Sequence, residues 1–202
     1  GEEAYSIAIL FSEVMEELNI RRNVKIFATD LDADSISTAV RGVYGDNIIE
    51  DVSVARLSRF FSRKGNKYVM IIFAQHNVFQ DPPFGKLDLI CCRNVLIYFQ
   101  SVLQRNLFTI FHMALNDHGY LFLGRSESVI DYDDIFRVLC ANEKIFIHNI
   151  TGKVPAHENI SYSLQNVENS LDLVQLQSAE EEPYIQHRSN DIDTSAMEEL
   201  PA

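Results

Sequence analysis

The run Asp88-Leu89-Ile90-Cys91-Cys92-Arg93-Asn94-Val95-Leu96-Ile97-Tyr98-Phe99 constrains the fold of this chain more than any other segment. It opens as a short continuous apolar stretch, the form a strand takes when a parallel sheet buries both its faces. It breaks at Arg93-Asn94 and resumes as a second apolar run that ends in Tyr98. A buried strand ending in a guanidinium, an amide and a phenol delivers polar groups to a sheet's C-terminal edge. Open α/β sheets bind their ligands there. The run therefore reads as the floor of a small-molecule site.

The remaining segments alternate as such a sheet requires. Residues 4–18 carry Ile7, Leu10, Phe11, Val14, Met15 and Leu18 at helical spacing. Val24–Asp30 reads as a strand. Asp32 or Asp34 can cap a helix reaching about Arg41, and Gly42 stands where that helix would stop. Residues 43–68 are less regular, with a helix expected around 54–61. Residues 70–74 and Leu87–Cys92 are apolar strands, and 101–115 form a long helix turning Leu103, Leu107, Ile110, Phe111, Ala114 and Leu115 inward. Asn116-Asp117-His118-Gly119 is expected as a turn into a strand over 120–123. Two final strands, Phe136–Cys140 and 144–148, flank Ala141-Asn142-Glu143 as a hairpin. Repeated strand–helix–strand units predict an α/β fold: a mainly parallel sheet with right-handed crossovers and a closing antiparallel hairpin near one edge.

Composition narrows the class. A chain of 202 residues can bury a full core. No apolar run reaches membrane-spanning length and no signal-peptide pattern opens the sequence, so a cytoplasmic domain without membrane insertion is expected. The net charge of −12 argues against nucleic-acid binding, which wants a basic surface. That charge is uneven: after Ile150, Lys153 and Arg188 face ten acids, a balance of −8 against −4 for residues 1–150. The division predicts a folded domain over 1–150 and an acidic linker over 151–202. Within the linker, Leu164, Val167, Leu171 and Val174 recur at three- and four-residue steps, which predicts a helix over 160–178 that docks or pairs. The three cysteines, Cys91, Cys92 and Cys140, show no Cys-x-x-Cys spacing, against a disulfide framework or a zinc site. Cys91-Cys92 reads as two small hydrophobes at a strand end. His76, His112, His118 and His148 share no metal-ligand spacing, so no metal is expected and they read as surface or core histidines.

Several polar residues fall where ligands bind. Gly1-Glu2-Glu3 immediately precedes a helix, whose first amides would face a ligand. Asp30 ends a strand one helix later, where a carboxylate can take both hydroxyls of a ribose diol. Asp32 and Asp34 are better caps for the next helix, which frees Asp30 for a ligand. His76-Asn77 ends another strand, and the Asn77 amide offers a donor and an acceptor to an adenine edge, or to its own loop backbone. Ser126-Glu127-Ser128, after Gly124, is expected as a solvated loop at the same sheet edge. On pattern alone this is an α/β nucleotide-type binder, with nicotinamide and methyl-donor chemistries both open.

Cys92-Arg93-Asn94-Val95-Leu96-Ile97-Tyr98-Phe99 resembles the signature of the CheR family, the methyltransferases that esterify glutamates on bacterial chemoreceptors. The likeness continues through Gly1-Glu2-Glu3-Ala4-Tyr5-Ser6-Ile7-Ala8, Phe27-Ala28-Thr29-Asp30-Leu31-Asp32, Val40-Arg41-Gly42-Val43-Tyr44 and Asn77-Val78. It ends with Gly119-Tyr120-Leu121-Phe122-Leu123-Gly124-Arg125-Ser126-Glu127-Ser128. The resemblance implies a class I, Rossmann-like methyltransferase fold that uses S-adenosylmethionine and yields S-adenosylhomocysteine. It also implies methyl-accepting chemotaxis receptors as partners. Carried over by motif position, Glu3 lies near the methionine moiety, Asp30 holds the ribose, and Asn77 and Val78 border the adenosine. Cys92 and Arg93 line the cofactor, and Tyr98, as the catalytic residue, faces the reacting methyl. A substrate glutamate is ionised at neutral pH, so such a transfer needs no general base, and its rate comes from orientation and electrostatic setting.

The sequence also departs from the family. The family's glycine-rich motif begins on a central first strand that would precede Gly1. Its N-terminal helical domain, which supplies a catalytic arginine and receptor contacts, is likewise not in this sequence. A sheet without its middle strand exposes unpaired backbone groups. Residues 67–73 look compressed, so the sequence is expected to be a fragment or to omit internal stretches. The family's small inserted subdomain would fall within about 49–69. In some members it binds a receptor peptide by strand addition, which the shortening here leaves unsupported. By analogy of architecture, the linker leads toward sensory modules of a multidomain hybrid. Two other classes stand beside the methyltransferase: a non-catalytic regulatory or scaffold domain that retains the fold, and a nicotinamide-dependent oxidoreductase. The oxidoreductase needs a longer glycine fingerprint than these residues contain.

Overall fold

The structure is a computed structural model that describes residues 1–45, 47–61, 69–129 and 131–155. It contains two compact units that divide after Gly85, each with its own sheet. The expected helix over 160–178 and nearly all of the acidic linker lie outside the described residues.

The first unit runs α1 (Glu2–Glu17), β1 (Val24–Asp30), α2 (Ala33–Arg41), α3 (Ile48–Asp51), α4 (Val54–Phe60) and β2 (Val69–Gln75). β1 and β2 pair in parallel from Val24 opposite Val69 to Asp30 opposite Gln75. Parallel strands need a crossover, and α2 through α4 supply it. α2 begins where a side chain satisfies its first amides: Asp32 accepts the N–H groups of Asp34 (3.2 Å) and Ser35 (2.9 Å). It ends at Gly42, whose φ of +58° is the left-handed conformation that glycine adopts without a Cβ penalty. α4 is tied to α1 by a two-pronged ion pair, in which Arg56 donates to Glu13 at 2.8 and 2.6 Å. Arg59 pairs with Glu16 one turn further on. The described part of the segment where a small inserted subdomain was expected is thus helical, as α3 and α4.

The apolar stripe of α1 is only partly buried. Met15 is covered, but Leu10, Val14 and Leu18 are 52%, 46% and 60% exposed. Two strands about 4.8 Å apart make a floor narrower than the stripe, so the residues on its outer margin find no cover among the described residues. Ser12, which no hydrophobic pattern selects, is buried instead, its hydroxyl donating to the Ala8 carbonyl at 2.7 Å.

The second unit runs β3 (Leu87–Cys92), a 3-10 turn (Leu96–Tyr98), α5 (Ser101–Ala114), β4 (Leu115–Leu123), β5 (Phe136–Cys140) and β6 (Ile145–His148). Its sheet has the order β3-β4-β6-β5: β3 and β4 are parallel, and β6 lies antiparallel between β4 and β5. The hairpin therefore places its second strand inward and leaves β5 as the edge. The fold is α/β, as the alternation predicts. One expectation fails locally, since residues 116–119 do not form a free turn. Leu115 already pairs with Leu87, and the strand bulges before Tyr120 meets Leu89, with His118 at φ 60°. Early pairing of Leu115, which is itself buried, draws these polar residues into β4.

α5 buries Leu103, Leu107, Phe108, Phe111 and Ala114 on the core. Phe108 lies 5.3 Å from the Tyr132 ring and 6.0 Å from that of Phe136. Beside this cluster sits a fully buried histidine. His148 Nδ1 faces the Asn116 carbonyl at 2.8 Å and must carry the proton, because a carbonyl only accepts. Its Nε2 is then an acceptor, and His112 Nδ1 donates to it at 2.8 Å. Burial, and secondly the adjacent His148, push the His112 pKa down. Among the described residues no helix is long and apolar enough to cross a membrane.

A depressed histidine pKa means that the unfolded chain takes up the proton first, near pH 6.5. The stabilisation from neutral His112 is full above that pH and is lost as pH falls through the lower folded value. Urea midpoints followed by circular dichroism at about pH 7.5 and 5.5 should drop more for the native chain than for His112→Gln. Equal drops would remove this contribution.

Candidate functional site

The C-terminal edge of each sheet, where open α/β sheets bind ligands, follows from strand direction. In the first unit β1 ends at Asp30, and the N–H of His76, just past β2, donates to the Asp30 carbonyl at 3.0 Å. Asp30, His76 and Asn77 therefore share the C-terminal edge. Tyr5, in the first turn of α1, packs 5.6 Å from Phe73 in the C-terminal half of β2 and donates to the Ala39 carbonyl at 3.0 Å. This brings the start of α1, with Glu2 and Glu3, to the same end. Burial holds the Tyr5 phenol above its ordinary pKa, as expected of a packing tyrosine.

Asp30 is exposed, and its Oδ1 accepts the Asp32 N–H at 3.0 Å. Asp32, not Asp30, caps α2. The Ser35 hydroxyl, then the Ser35 and Asp34 amides, hold the Asp32 carboxyl below the usual aspartate range. A carboxylate accepts about four hydrogen bonds, so Asp30 keeps capacity for a vicinal diol and fits a ribose. Asn77 is more committed. Its Oδ1 accepts the Phe79 N–H at 3.0 Å, and its own N–H donates to Asp81 at 2.7 Å. The loop has taken the amide oxygen, and the NH₂ group is what remains to meet an adenine acceptor. Val78, the next residue, is half-buried.

The second unit carries the other predicted residues. Cys92 ends β3 half-buried and in no disulfide. The Arg93 guanidinium lies 4.9 Å over the Phe122 ring of the neighbouring strand, a cation–π contact that fixes its direction. Asn94 follows with φ 58°, a left-handed conformation that asparagine tolerates better than most residues. The chain then turns through Leu96, which is 2% exposed, to Tyr98, which is 68% exposed. Structure thus groups Glu3, Asp30, Asn77 and Val78 in one unit and Cys92, Arg93 and Tyr98 in the other.

The residue that organises this second group was expected to be solvated. Glu127 is instead 4% exposed, and its carboxylate accepts four backbone N–H groups. Oε2 takes those of Asn94 (3.0 Å) and Gly124 (2.6 Å), and Oε1 takes those of Val95 (2.9 Å) and Leu96 (2.8 Å). A carboxylate leaves water only for such a full complement. Gly124 is what admits it: a Cβ there would stand 2.7 Å from Glu127 Oε2 and 2.9 Å from the Asn94 nitrogen. From the opposite side Gln104 Nε2 donates to the Leu96 and Phe99 carbonyls, both at 2.9 Å. Helical side chains lean toward the helix N-terminus, so a glutamine in the first turn of α5 reaches back over the preceding turn. The signals for both residues were present but weak: an acid three places after a glycine at a strand end, and an amide in a first helical turn.

Comparison with known proteins identifies the family. The CheR methyltransferase, SAM binding domain family matches residues 1–145. The chain is 40% identical over 153 residues to an uncharacterized 104.1 kDa protein of Rhodobacter capsulatus, covering 72% of this chain and 16% of that one. It is 32% identical over 149 residues to chemotaxis protein methyltransferase 2 of Vibrio cholerae, covering 68% of this chain and 51% of the relative. It is 34% identical over 139 residues to a chemotaxis protein methyltransferase of Borreliella burgdorferi, covering 64% and 49%. The chain thus spans about half the length of the two chemotaxis methyltransferases. The family match spans well over half of the chain, and the chain belongs to the CheR methyltransferase family through its SAM binding domain.

Proposed function

We propose that this chain transfers the methyl group of S-adenosylmethionine to glutamate side chains of chemotaxis receptors, forming glutamyl methyl esters on the cytoplasmic side. The observation that carries the reading is the family match through residues 1–145, which contains every residue assigned below. The match to 16% of a 104.1 kDa relative fits a methyltransferase segment within a multidomain chain.

When bound, S-adenosylmethionine supplies a methyl group activated by its sulfonium. The chain's residues bind and orient it. Asp30, with acceptor capacity to spare, takes the ribose hydroxyls. The Asn77 NH₂ and Val78 border the adenosine, Glu3 lies near the methionine moiety, and Cys92 and Arg93 line the cofactor. Tyr98 presents its phenol to the attacking carboxylate or shapes the path of the methyl. The substrate glutamate is already anionic at neutral pH, so the protein has no proton to remove. Its task is alignment, which is worth several powers of ten in rate when reacting atoms are held in line.

Calorimetric titration with S-adenosylhomocysteine, with NAD as control, should show saturable binding that Asp30→Ala weakens by at least about tenfold, the scale of one charge-assisted hydrogen bond. Binding of NAD in its place would support a nicotinamide enzyme. Incubation with methyl-labelled donor and receptor should then yield alkali-labile label on receptor glutamates. Cofactor binding without transfer would make the domain a scaffold. Tyr98→Phe should lower turnover about 10–100-fold, the scale of one hydrogen bond to a charged group, while cofactor affinity changes little. Equal loss of both would strip Tyr98 of its role.

A further inference from the structure

We infer that Glu127 and Gln104 are positioning residues that act on methyl transfer through Tyr98, an inference that rests on the methyltransferase reading above. The turn between β3 and α5 is held from two sides by side chains outside it. Glu127, 31 to 33 residues away in sequence, takes the N–H groups of Asn94, Val95 and Leu96. Gln104 takes the carbonyls of Leu96 and Phe99. Within the turn, the Tyr98 N–H donates to the Val95 carbonyl (3.2 Å) and that of Phe99 to Leu96 (3.0 Å). The Leu96 side chain is buried in the core.

The amides clamped here are buried or half-buried, where water is a poor substitute for a protein acceptor. Here a carboxylate is withdrawn from solvent to bind them, which is unfavourable unless every lone pair is used. The clamp satisfies the backbone at the base of the turn while Tyr98 at its tip stays open. Its effect is to remove the backbone freedom of residues 94–99, so that the one phenol on the turn projects from a fixed base. Alignment is a main contribution to this reaction, and an error of about 1 Å in a catalytic group costs on the order of 100-fold. Rigid support of a reactive group by hydrogen-bonded neighbours is how such accuracy is held.

A double-mutant cycle in the full chain tests this. Glu127→Gln turns one acceptor oxygen into a donor facing amides, and Gln104→Leu removes the opposite clamp while keeping volume. Each should lower kcat about 10–100-fold and leave the KM for receptor and the S-adenosylhomocysteine affinity within about threefold. In a Tyr98→Phe background the same changes should cost less than about threefold, because the group they position is gone. Full, multiplicative losses in that background would overturn the proposal, as would a silent Tyr98→Phe beside an impaired Glu127→Gln. If Glu127→Gln does not fold, Gln104→Leu carries the test.

A second readout does not depend on turnover. With 3-fluorotyrosine incorporated, the Tyr98 fluorine resonance should broaden or split in Glu127→Gln and Gln104→Leu while that of buried Tyr132 stays in place. An unchanged Tyr98 resonance overturns the proposal. A native chain that transfers no methyl would instead sink the methyltransferase reading, and the fluorine spectra would still decide whether these two side chains hold the turn.

Discussion

The site in the second unit depends on one buried carboxylate. Strand β3 must stop, reverse and hand over to α5 within a few residues, and a reversal leaves backbone amides without ladder partners. Glu127 collects those of Asn94, Val95 and Leu96, together with that of Gly124 on its own strand end. The acid therefore ties the ends of two adjacent parallel strands together at the edge where polar side chains emerge. Gly124 follows as a necessity, since any Cβ there would occupy the space of the carboxylate and of the Asn94 backbone. So does Asn94, which accepts the left-handed conformation that turns its N–H inward.

The same economy appears elsewhere in the chain. The buried His148 is tolerated because both ring nitrogens are bonded, one to the Asn116 carbonyl and one to His112. That pair joins α5 to β6 and to the bulge at the start of β4, so the irregular stretch 116–119 is bound into the core rather than looped away. In the first unit Asp32 and Asp30 divide the work of one strand end: Asp32 satisfies the helix, and Asp30 is left facing outward. Two carboxylates two residues apart thus end in different roles because only one sits at the capping position.

Much of this was legible in the residues. The strands at Val24–Asp30, Leu87–Cys92 and Phe136–Cys140 fall where the apolar runs put them, and α2 begins and ends at the Asp32 and Gly42 signals. The family match covers the motifs that carried the resemblance. Less legible was which side of an apolar pattern would be covered. Leu10, Val14 and Leu18 have the spacing of a core stripe and yet remain exposed, while Ser12 and Glu127, polar by any scale, are buried.

Local order was therefore written in the sequence by itself: caps, strand runs, the hairpin, and a strand that ends in polar residues. Those signals act between residues a few places apart, through dihedral preference and neighbouring hydrogen bonds, and are readable without the fold. Only tertiary structure decided that Glu127 would clamp a turn more than thirty residues earlier, that His112 would meet His148, and that Leu115 would enter β4 ahead of its expected start. Each of these depends on partners distant in sequence. Whether a polar group is buried is settled by how many hydrogen bonds the folded chain can offer it, and that number exists only once the chain has folded.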